Sequence, residues 1–166
     1  VGAYIRIPVP PIPITLQTFF VILSGTLLGK NYGSLSVIVY IILGLTGLPV
    51  FSGGGGIYYV LNPSFGYIIG FILCAFIVGK IVHKRENPSF RRIFISSLIG
   101  IFSVYIAGII YYILVLGIFT DNADWSAKTI LVSGFLLFVP IDVVIAFISS
   151  LISERLILHT KKYRKT

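Results

Sequence analysis

Long apolar runs, separated by short polar stretches, dominate the sequence and predict its secondary structure. A helix that crosses the hydrocarbon core of a bilayer needs about 20 mostly apolar residues, and runs of this kind recur along the whole chain. The candidate spans are Ile14–Gly29, Leu35–Leu48, Pro63–Val82, Ile93–Phe119 and Thr129–Leu158. The pattern therefore predicts an all-α integral membrane protein with a single membrane domain over residues 1–166.

The last apolar run is too long for one simple span. From Lys128 to Leu158 an unbroken helix would extend about 46 Å, whereas the hydrocarbon core is roughly 30 Å thick. Pro140 supplies a break, because proline fits the first turn of a helix and disrupts its interior. We expect a helix from Pro140 to Leu158, preceded by a re-entrant or kinked piece over Thr129–Val139.

The fraction of charged residues is too low for a soluble domain. Charged residues make up 11% of the chain, against roughly 25% in a typical soluble domain, so much of the surface has to face lipid. The net charge of +8 comes from Lys and Arg at the ends of the apolar runs, which is the pattern of the positive-inside bias. These cations predict contact with anionic membrane lipid and argue against nucleic-acid binding.

The distribution of charge also predicts the orientation. Placing the loops at Lys30 and 84–92 and the C-terminus in the cytoplasm puts eleven of the 13 Lys and Arg residues inside. Only Arg6 and Lys128 then lie outside. Val1 also lies outside, so one more helix before it would return the N-terminus to the cytoplasm. We expect a six-helix, multi-pass protein of the plasma membrane, with a cytoplasmic C-terminus and a first helix largely missing from this chain.

Asp142 is the one acidic residue within a candidate span that has only apolar neighbours in the sequence. A carboxylate inside a membrane costs several kcal/mol unless it has a partner, which makes it a candidate functional group. In the first turn of the predicted last helix, unpaired backbone N–H groups and the helix dipole favour an anion. Two interpretations are open: Asp142 binds a ligand, or it caps its own helix.

Two further stretches fall on the predicted outer side. Pro8–Gln17 reads PVPPIPITLQ, and its prolines predict an extended segment that serves either as a lid over a pocket or as a stiff linker. Phe51–Gly56 reads FSGGGG, but Ile57 follows in place of the Gly-Lys-Ser or Gly-Lys-Thr of a phosphate loop. We therefore expect no nucleotide site there.

The sequence contains no recognisable set of catalytic or metal-binding residues. Cys74 is the only cysteine, and no HExxH, GxSxG or paired-carboxylate motif occurs. We therefore expect no enzyme activity and no cofactor. Gly66, Gly70 and Cys74 recur every four residues, which predicts that one helix face packs closely against another.

Several stretches together resemble one known family. The similar stretches are PIPITLQTFFVILSGTLLG at 11–29, YIILGLTGLPVFSGG at 40–54 and NPSFGYIIGF at 62–71. They resemble the BioY family over nearly all of residues 5–155. Members of this family are the biotin-binding S components of energy-coupling factor (ECF) transporters and have six membrane helices. The resemblance implies a subunit that captures biotin from outside and works with a transmembrane coupling protein and two cytoplasmic ABC-type ATPases.

The resemblance also implies residues of the binding site. The TLQ motif of the family borders its pocket, which implicates Thr15 and Gln17. The last helix of the family usually contains Pro-Gly-Asp, with a lysine three residues after the aspartate. This chain keeps the aspartate as Asp142, but it has Ile141 at the glycine and Ile145 at the lysine position. Its run of glycines also lacks the arginine that often occurs there in the family.

Biotin carries a ureido ring with N–H donors, an apolar bicyclic body and a carboxylate tail. An ionised Asp142 would accept hydrogen bonds from the ureido N–H groups, and Gln17 and Asn62 would complete the polar contacts. Phe51 and Tyr67 would cover the apolar ring, since small-molecule pockets are mostly apolar with few polar anchors.

The carboxylate tail and the identity of the ligand leave alternatives open. With isoleucine at the lysine position, Arg6 or Lys128 would meet the carboxylate, or it would stay near water. One alternative function is the same class of transporter with a different cargo, such as lipoate. The other is a membrane assembly protein without cargo, which predicts no outward pocket and tolerance of change at Gln17 and Asp142.

Overall fold

Long apolar helices make up most of the structure, as the sequence pattern predicts. The computed structural model describes residues 2–7, 13–119 and 135–163. Its elements are β1 (Arg6–Ile7), β2 (Ile14–Thr15), α1 (Gln17–Leu45), a short 3-10 helix (Ile57–Leu61), α2 (Phe65–Val82), α3 (Phe90–Phe119) and α4 (Val139–Tyr163). Among the described helices, α1, α2 and α3 have the length and apolar composition of membrane spans, although α1 reverses direction within its length.

The predicted spans correspond to these helices, with shifted ends. α2 ends at Val82 as expected, and α4 begins at Val139, one residue before the predicted break at Pro140. The predicted start of the first span is wrong, because Ile14 pairs with Ile7 in a short antiparallel hairpin and the helix begins only at Gln17. Other predicted features lie outside the described residues: Pro8, Pro10 and Pro11, the loop 121–128, and positions 129–134.

A single glycine reverses the chain inside α1. Gly29 has φ 80° and ψ 179°, a conformation that a residue with a side chain rarely adopts. The side-chain amide of Gln17 lies 2.6 Å from the hydroxyl of Tyr40, 23 residues later, whereas a straight helix would separate them by about 34 Å. α1 is therefore a helical hairpin with antiparallel halves. The loop expected at Lys30 corresponds to this reversal, which a single glycine makes.

Small residues set the distances between α2 and its two neighbours. A Cβ atom on Gly70 of α2 would lie 2.8 Å from the Cα atom of Val104 in α3. A Cβ atom on Gly25 of α1 would lie 2.6 Å from the carbonyl oxygen of Ala75 in α2. The helix backbones are thus in direct contact at both interfaces. The predicted small-residue face of α2 is confirmed, and Cys74 on that face is fully buried.

The helices expose apolar side chains and bury many of their hydroxyl groups, as expected for a protein surrounded by lipid. Large aliphatic and aromatic side chains are exposed on all four helices, while many buried positions carry hydroxyl groups. The fully buried hydroxyl residues in the described chain are Thr26, Ser96, Ser97, Ser149, Ser150 and Ser153. Ser149, for example, donates to the Ile145 carbonyl of its own helix at 2.6 Å. The hydroxyls of Thr26 and Ser153 lie 2.9 Å apart and join α1 to α4.

Glu154 of α4 caps the neighbouring helix α3. Its Oε1 atom accepts a hydrogen bond of 2.7 Å from the backbone N–H of Phe90, the first residue of α3. This contact satisfies one of the N–H groups that a helix leaves unpaired at its start, and it places a carboxylate at the positive end of the helix dipole. Glu154 lies about 18 Å along α4 from Asp142, so α4 carries one carboxylate in its first turn and a second one beyond its middle.

Replacing Gly70 by alanine should destabilise the protein, because the new methyl group would push α2 away from Val104. Overpacking of this kind costs about 1–3 kcal/mol. Thermal unfolding of the detergent-solubilised protein, followed by loss of the monodisperse size-exclusion peak, should show a lower midpoint. The matched control is Ile69→Val, which changes an exposed neighbour and should leave the midpoint nearly unchanged. Equal midpoints for the two variants would contradict close backbone contact at Gly70.

Candidate ligand pocket

A cavity opens between the first turns of α1, α2 and α4 and the middle of α3. Its volume is small, about 50 Å³, which is below the range of about 300–1,000 Å³ typical of small-molecule sites. Its polar lining consists of Thr15, Gln17, Thr18, Ser52, Ser64 and Asp142, together with the tyrosines Tyr67 and Tyr105. The prediction of a cargo-free protein without a pocket is not supported by this cavity.

Asp142 lies in the first turn of α4 and lines the cavity. The Tyr105 hydroxyl donates to its Oδ2 atom at 2.5 Å, and the Thr18 hydroxyl donates to the same carboxylate. A carboxylate can accept about four hydrogen bonds, so part of its capacity remains for a ligand. The positive end of the α4 dipole also stabilises the anion. The start of α4 can therefore stabilise the Asp142 carboxylate while that carboxylate faces the cavity.

Gln17 anchors a chain of hydrogen bonds that joins three segments of the protein. The Thr15 hydroxyl donates to Gln17 Oε1 at 2.9 Å. Gln17 Nε2 donates to the Tyr40 hydroxyl at 2.6 Å, and Tyr40 donates to the Val50 carbonyl at 3.0 Å. This chain fixes the start of α1 against the second half of the hairpin and against the loop that follows it. The Gln17 amide is therefore held in one orientation at the cavity wall.

A second chain of hydrogen bonds runs from Asn62 to the cavity wall. Asn62 Oδ1 accepts from the backbone N–H of Ser64 at 2.9 Å and from its hydroxyl at 2.8 Å. Because Ser64 has only one hydroxyl proton, the Tyr59 hydroxyl, 3.2 Å away, donates to Ser64. Ser52, 3.2 Å from Tyr59, then donates to Tyr59. The Ser52 oxygen is left as an acceptor at the cavity wall.

Apolar side chains complete the cavity. The apolar part of the wall, apart from the tyrosines, consists of Pro13, Ile14, Ile68, Phe71, Val104 and Phe138. Tyr67 is 8% exposed, and its ring lies against Gly108, where a Cβ atom would be 2.5 Å from the ring. Any side chain at this position of α3 would displace Tyr67. The lack of a side chain at Gly108 therefore determines the position of the Tyr67 ring in the cavity wall.

The arrangement favours a small ligand with N–H donors on an otherwise apolar body. Asp142 is the only charged residue among the described residues that line the cavity. Its carboxylate and the Ser52 oxygen are acceptors, and the walls around them are mostly apolar. Within the described residues, no group of three His, Cys, Asp or Glu side chains is placed to hold a metal ion.

Comparison with known proteins identifies the family. The model of the BioY family matches residues 1–162 of the sequence. This chain belongs to the BioY family. The family resemblance that the sequence motifs indicate is therefore confirmed, and the chain is a multi-pass integral membrane protein.

Relatives in other organisms match along most of their length. The "Probable biotin transporter BioY" of Lysinibacillus sphaericus is 41% identical over 157 residues, which cover 94% of this chain and 79% of that protein. The "Biotin transporter BioY" of Thermotoga maritima is 43% identical over 159 residues, which cover 94% of this chain and 87% of that protein.

A solved structure matches the fold. It is described as the crystal structure at 2.1 Å of the S-component for biotin from an ECF-type ABC transporter, and it is 32% identical to this chain. The TM-score is 0.77, and the match covers 93% of this chain and 79% of that one. The BioY chain therefore has the all-α membrane fold of an ECF S component, as expected.

The cavity of this BioY chain brings together four of the six predicted binding residues. Those four are Thr15, Gln17, Tyr67 and Asp142. They come from β2, from the starts of α1 and α2, and from the start of α4, so residues distant in sequence meet at one site. Their contact with a ligand stays a prediction.

Phe51 and Asn62 do not line the cavity in the described structure. Phe51 is 2% exposed, and its ring packs between Tyr40 and Tyr59, with centroid distances of 5.4 and 4.6 Å. Asn62 is exposed and uses its side-chain carbonyl to shape the turn before α2. Both residues support the wall that carries Ser52 and Ser64, which is a different role from the direct contact predicted for them.

Sequence reasoning missed Thr18 and Tyr105, the two residues that hold the Asp142 carboxylate. Tyr105 lies in the apolar run of α3 and is 5% exposed, and its ring packs on Phe135 with a centroid distance of 4.8 Å. A buried tyrosine usually finds a partner for its hydroxyl, so a tyrosine inside a membrane run was an available signal. Nothing in the sequence indicates that the partner is Asp142.

Replacing Tyr105 by phenylalanine should destabilise the protein, because the buried side of Asp142 loses a donor. Hydrogen bonds to charged groups contribute about 1.5–3 kcal/mol. Thermal unfolding in detergent should show a clear loss for Tyr105→Phe and almost none for Tyr32→Phe, since Tyr32 is 72% exposed. The loss should shrink when Tyr105→Phe is made in an Asp142→Asn background. An equal loss in both backgrounds would show that the Tyr105 hydroxyl acts elsewhere.

Proposed function

We propose that this BioY-family chain is the substrate-binding subunit of an ECF-type uptake transporter and that it captures biotin in the cavity lined by Asp142. The observation that carries the proposal is a carboxylate held by two hydroxyl donors in a mostly apolar cavity. It occurs in a chain whose relatives in Lysinibacillus sphaericus and Thermotoga maritima are named biotin transporters. Residues 1–166 form one membrane domain, whose function is binding and transport and not catalysis.

The groups that line the cavity complement the chemistry of biotin. The ureido ring offers N–H donors to the remaining acceptor sites of Asp142 and to the Ser52 oxygen. Gln17 Nε2 uses one N–H on Tyr40, and its second N–H donates to the ureido carbonyl. Thr15 holds the Gln17 amide in the orientation that this contact needs. The Tyr67 ring covers the apolar bicyclic body.

Lipoate fits the same polar groups less well. It shares the carboxylate tail and an apolar sulfur-containing ring, but it has no N–H donors. Binding lipoate would cover the Asp142 carboxylate without giving it a hydrogen bond, and a buried charged group that loses solvent without a partner is strongly unfavourable. Biotin is therefore the preferred cargo.

Energy for release comes from partner subunits. The sequence has no phosphate loop, since Ile57 follows its run of glycines, so the chain relies on a transmembrane coupling protein and two cytoplasmic ABC-type ATPases. The cavity faces outward, and the C-terminus is cytoplasmic in the plasma membrane. The described cations at the opposite end of α2 support this orientation and face anionic membrane lipid: Lys80, Lys84, Arg85, Arg91 and Arg92.

Biotin should bind the detergent-purified protein with nanomolar affinity, measured by calorimetric titration. Desthiobiotin keeps the ureido group and should compete with biotin. Lipoate should not compete, because it lacks the N–H donors. Folded protein that binds lipoate and not biotin would overturn the proposed cargo, and folded protein that binds neither would favour an assembly role without cargo.

Replacing Asp142 by asparagine should weaken biotin binding about 10- to 100-fold, because a charged acceptor of the ureido N–H groups becomes neutral. The control is Glu86→Gln, which removes an exposed carboxylate at the other end of α2 and should leave the affinity unchanged. Calorimetry on both variants gives the comparison. Unchanged affinity in Asp142→Asn would refute the central role given to this carboxylate.

A further inference from the structure

Within the described part of its wall, the cavity has a carboxylate of its own but no cation to receive the carboxylate of its cargo. Among the described residues that line it there is no Lys, Arg or His. Biotin carries a carboxylate tail, and a carboxylate that leaves water needs a cation or strong hydrogen-bond donors. Asp142 would repel a second anion placed close to it. The cation that meets the tail therefore has to stand apart from Asp142, near the mouth of the cavity.

The register of the β1–β2 hairpin places one arginine opposite a residue that lines the cavity. Arg6 pairs with Thr15, and Thr15 lines the cavity. The Leu16 N–H donates to the Ile5 carbonyl at 3.1 Å, which flanks this pair and makes it a non-hydrogen-bonded pair of the antiparallel ladder. In such a pair the two side chains stand on the same face of the hairpin, with Cα atoms about 4.5 Å apart. The Arg6 side chain therefore starts beside the side chain of Thr15.

The guanidinium group of Arg6 is available to a ligand. Arg6 is exposed, and the carboxylates of the described chain are engaged elsewhere. Asp142 is held by hydroxyl groups, and Glu154 caps α3. Glu86 follows the far end of α2.

The other cations of the described residues lie far from the cavity. Lys30 follows the turn at Gly29, about 20 Å along α1 from Gln17. Arg155 lies about 20 Å along α4 from Asp142. Lys80 lies about 14 Å along α2 beyond Phe71, which lines the cavity, and the basic residues of the connection from α2 to α3 lie farther away.

We propose that Arg6 binds the carboxylate tail of the cargo at the mouth of the cavity and thereby makes the site selective for the free acid. The proposal rests on biotin as the cargo. The planar guanidinium forms paired hydrogen bonds with a carboxylate, while Asp142 receives the ureido end. The ligand is held by opposite charges at its two ends: a cation on the hairpin for its anionic tail, and an anion on α4 for its N–H donors.

The test compares two ligands on two proteins. Biotin and biotin methyl ester share the ureido ring and the bicyclic body, but the ester has no negative charge. Calorimetric titration of the wild type should show that the acid binds about tenfold tighter or more, and this preference should fall as sodium chloride is added. Arg6→Gln should weaken biotin by the same factor and leave the ester unchanged. Arg6→Lys should keep part of the preference, because it keeps the charge without the paired geometry.

Matched variants separate this role from general effects. Arg91→Gln removes an exposed arginine at the start of α3 and should leave both affinities unchanged. Lys128→Gln tests the other cation predicted on this side of the membrane. If Lys128→Gln abolishes the preference and Arg6→Gln keeps it, the assignment to Arg6 is overturned.

The remaining outcomes distinguish failure of Arg6 from failure of the proposed function. Equal weakening of acid and ester in Arg6→Gln would show that Arg6 only supports the hairpin. Unchanged biotin binding in Arg6→Gln would overturn the contact while leaving biotin as the cargo. A wild type that is monodisperse and binds neither ligand would overturn both the cargo and the role of Arg6.

Discussion

A hydrocarbon environment offers no hydrogen-bond partners, so the polar groups of a membrane bundle have to be satisfied within the protein. In this chain the constraint explains the buried hydroxyls, which bond to carbonyls of their own helices or, as Thr26 and Ser153 do, to each other across two helices. It also explains the Glu154 contact with the start of α3. Asp142, Gln17 and Ser52 all line one cavity and keep acceptor or donor capacity beyond the hydrogen bonds that they make within the protein. A ligand bound in the cavity would complete the hydrogen bonding of these three side chains.

Close backbone contact is what brings those groups within reach of one another. The glycines of α2 and α3 remove side-chain bulk between the two helices, and the remaining volume is filled by tyrosine rings at the cavity wall. The reversal at Gly29 has a similar effect on α1, because it returns Tyr40 to the side of Gln17. The hydrogen bonds that run from Gln17 to Val50 and from Asn62 to Ser52 then hold the loops at the mouth of the cavity in place. Side chains held in this way lose little conformational freedom when a ligand binds, which reduces the entropic cost of binding.

The departures from the family pattern change the electrostatics of the site more than its shape. Isoleucine stands at the position where the family usually has a lysine, and Ile145 is buried in the core, so α4 contributes an anion to the cavity without the neighbouring cation. If Arg6 supplies that cation, the positive charge has moved from a helix to a hairpin at the mouth. A ligand with a carboxylate at one end and N–H donors at the other can then still be recognised. The described buried residues of α4 after Asp142 are all apolar or carry a hydroxyl group.

Much of the architecture was predictable because it depends on local properties of the sequence. Length and continuity of apolar runs predict the helices, the four-residue spacing of small residues predicts the close face of α2, and Asp142 stands out as a lone carboxylate in an apolar run. The partners of these groups were not predictable in the same way. The hairpin turn at Gly29, the exclusion of Phe51 and Asn62 from the cavity and the pairing of Tyr105 with Asp142, 37 residues apart, depend on how distant segments pack. The sequence by itself determined which segments enter the membrane and which residue carries the isolated charge. Tertiary structure decided which side chains face that charge, because side-chain direction and contact are set by packing between helices and not by the pattern along any one of them.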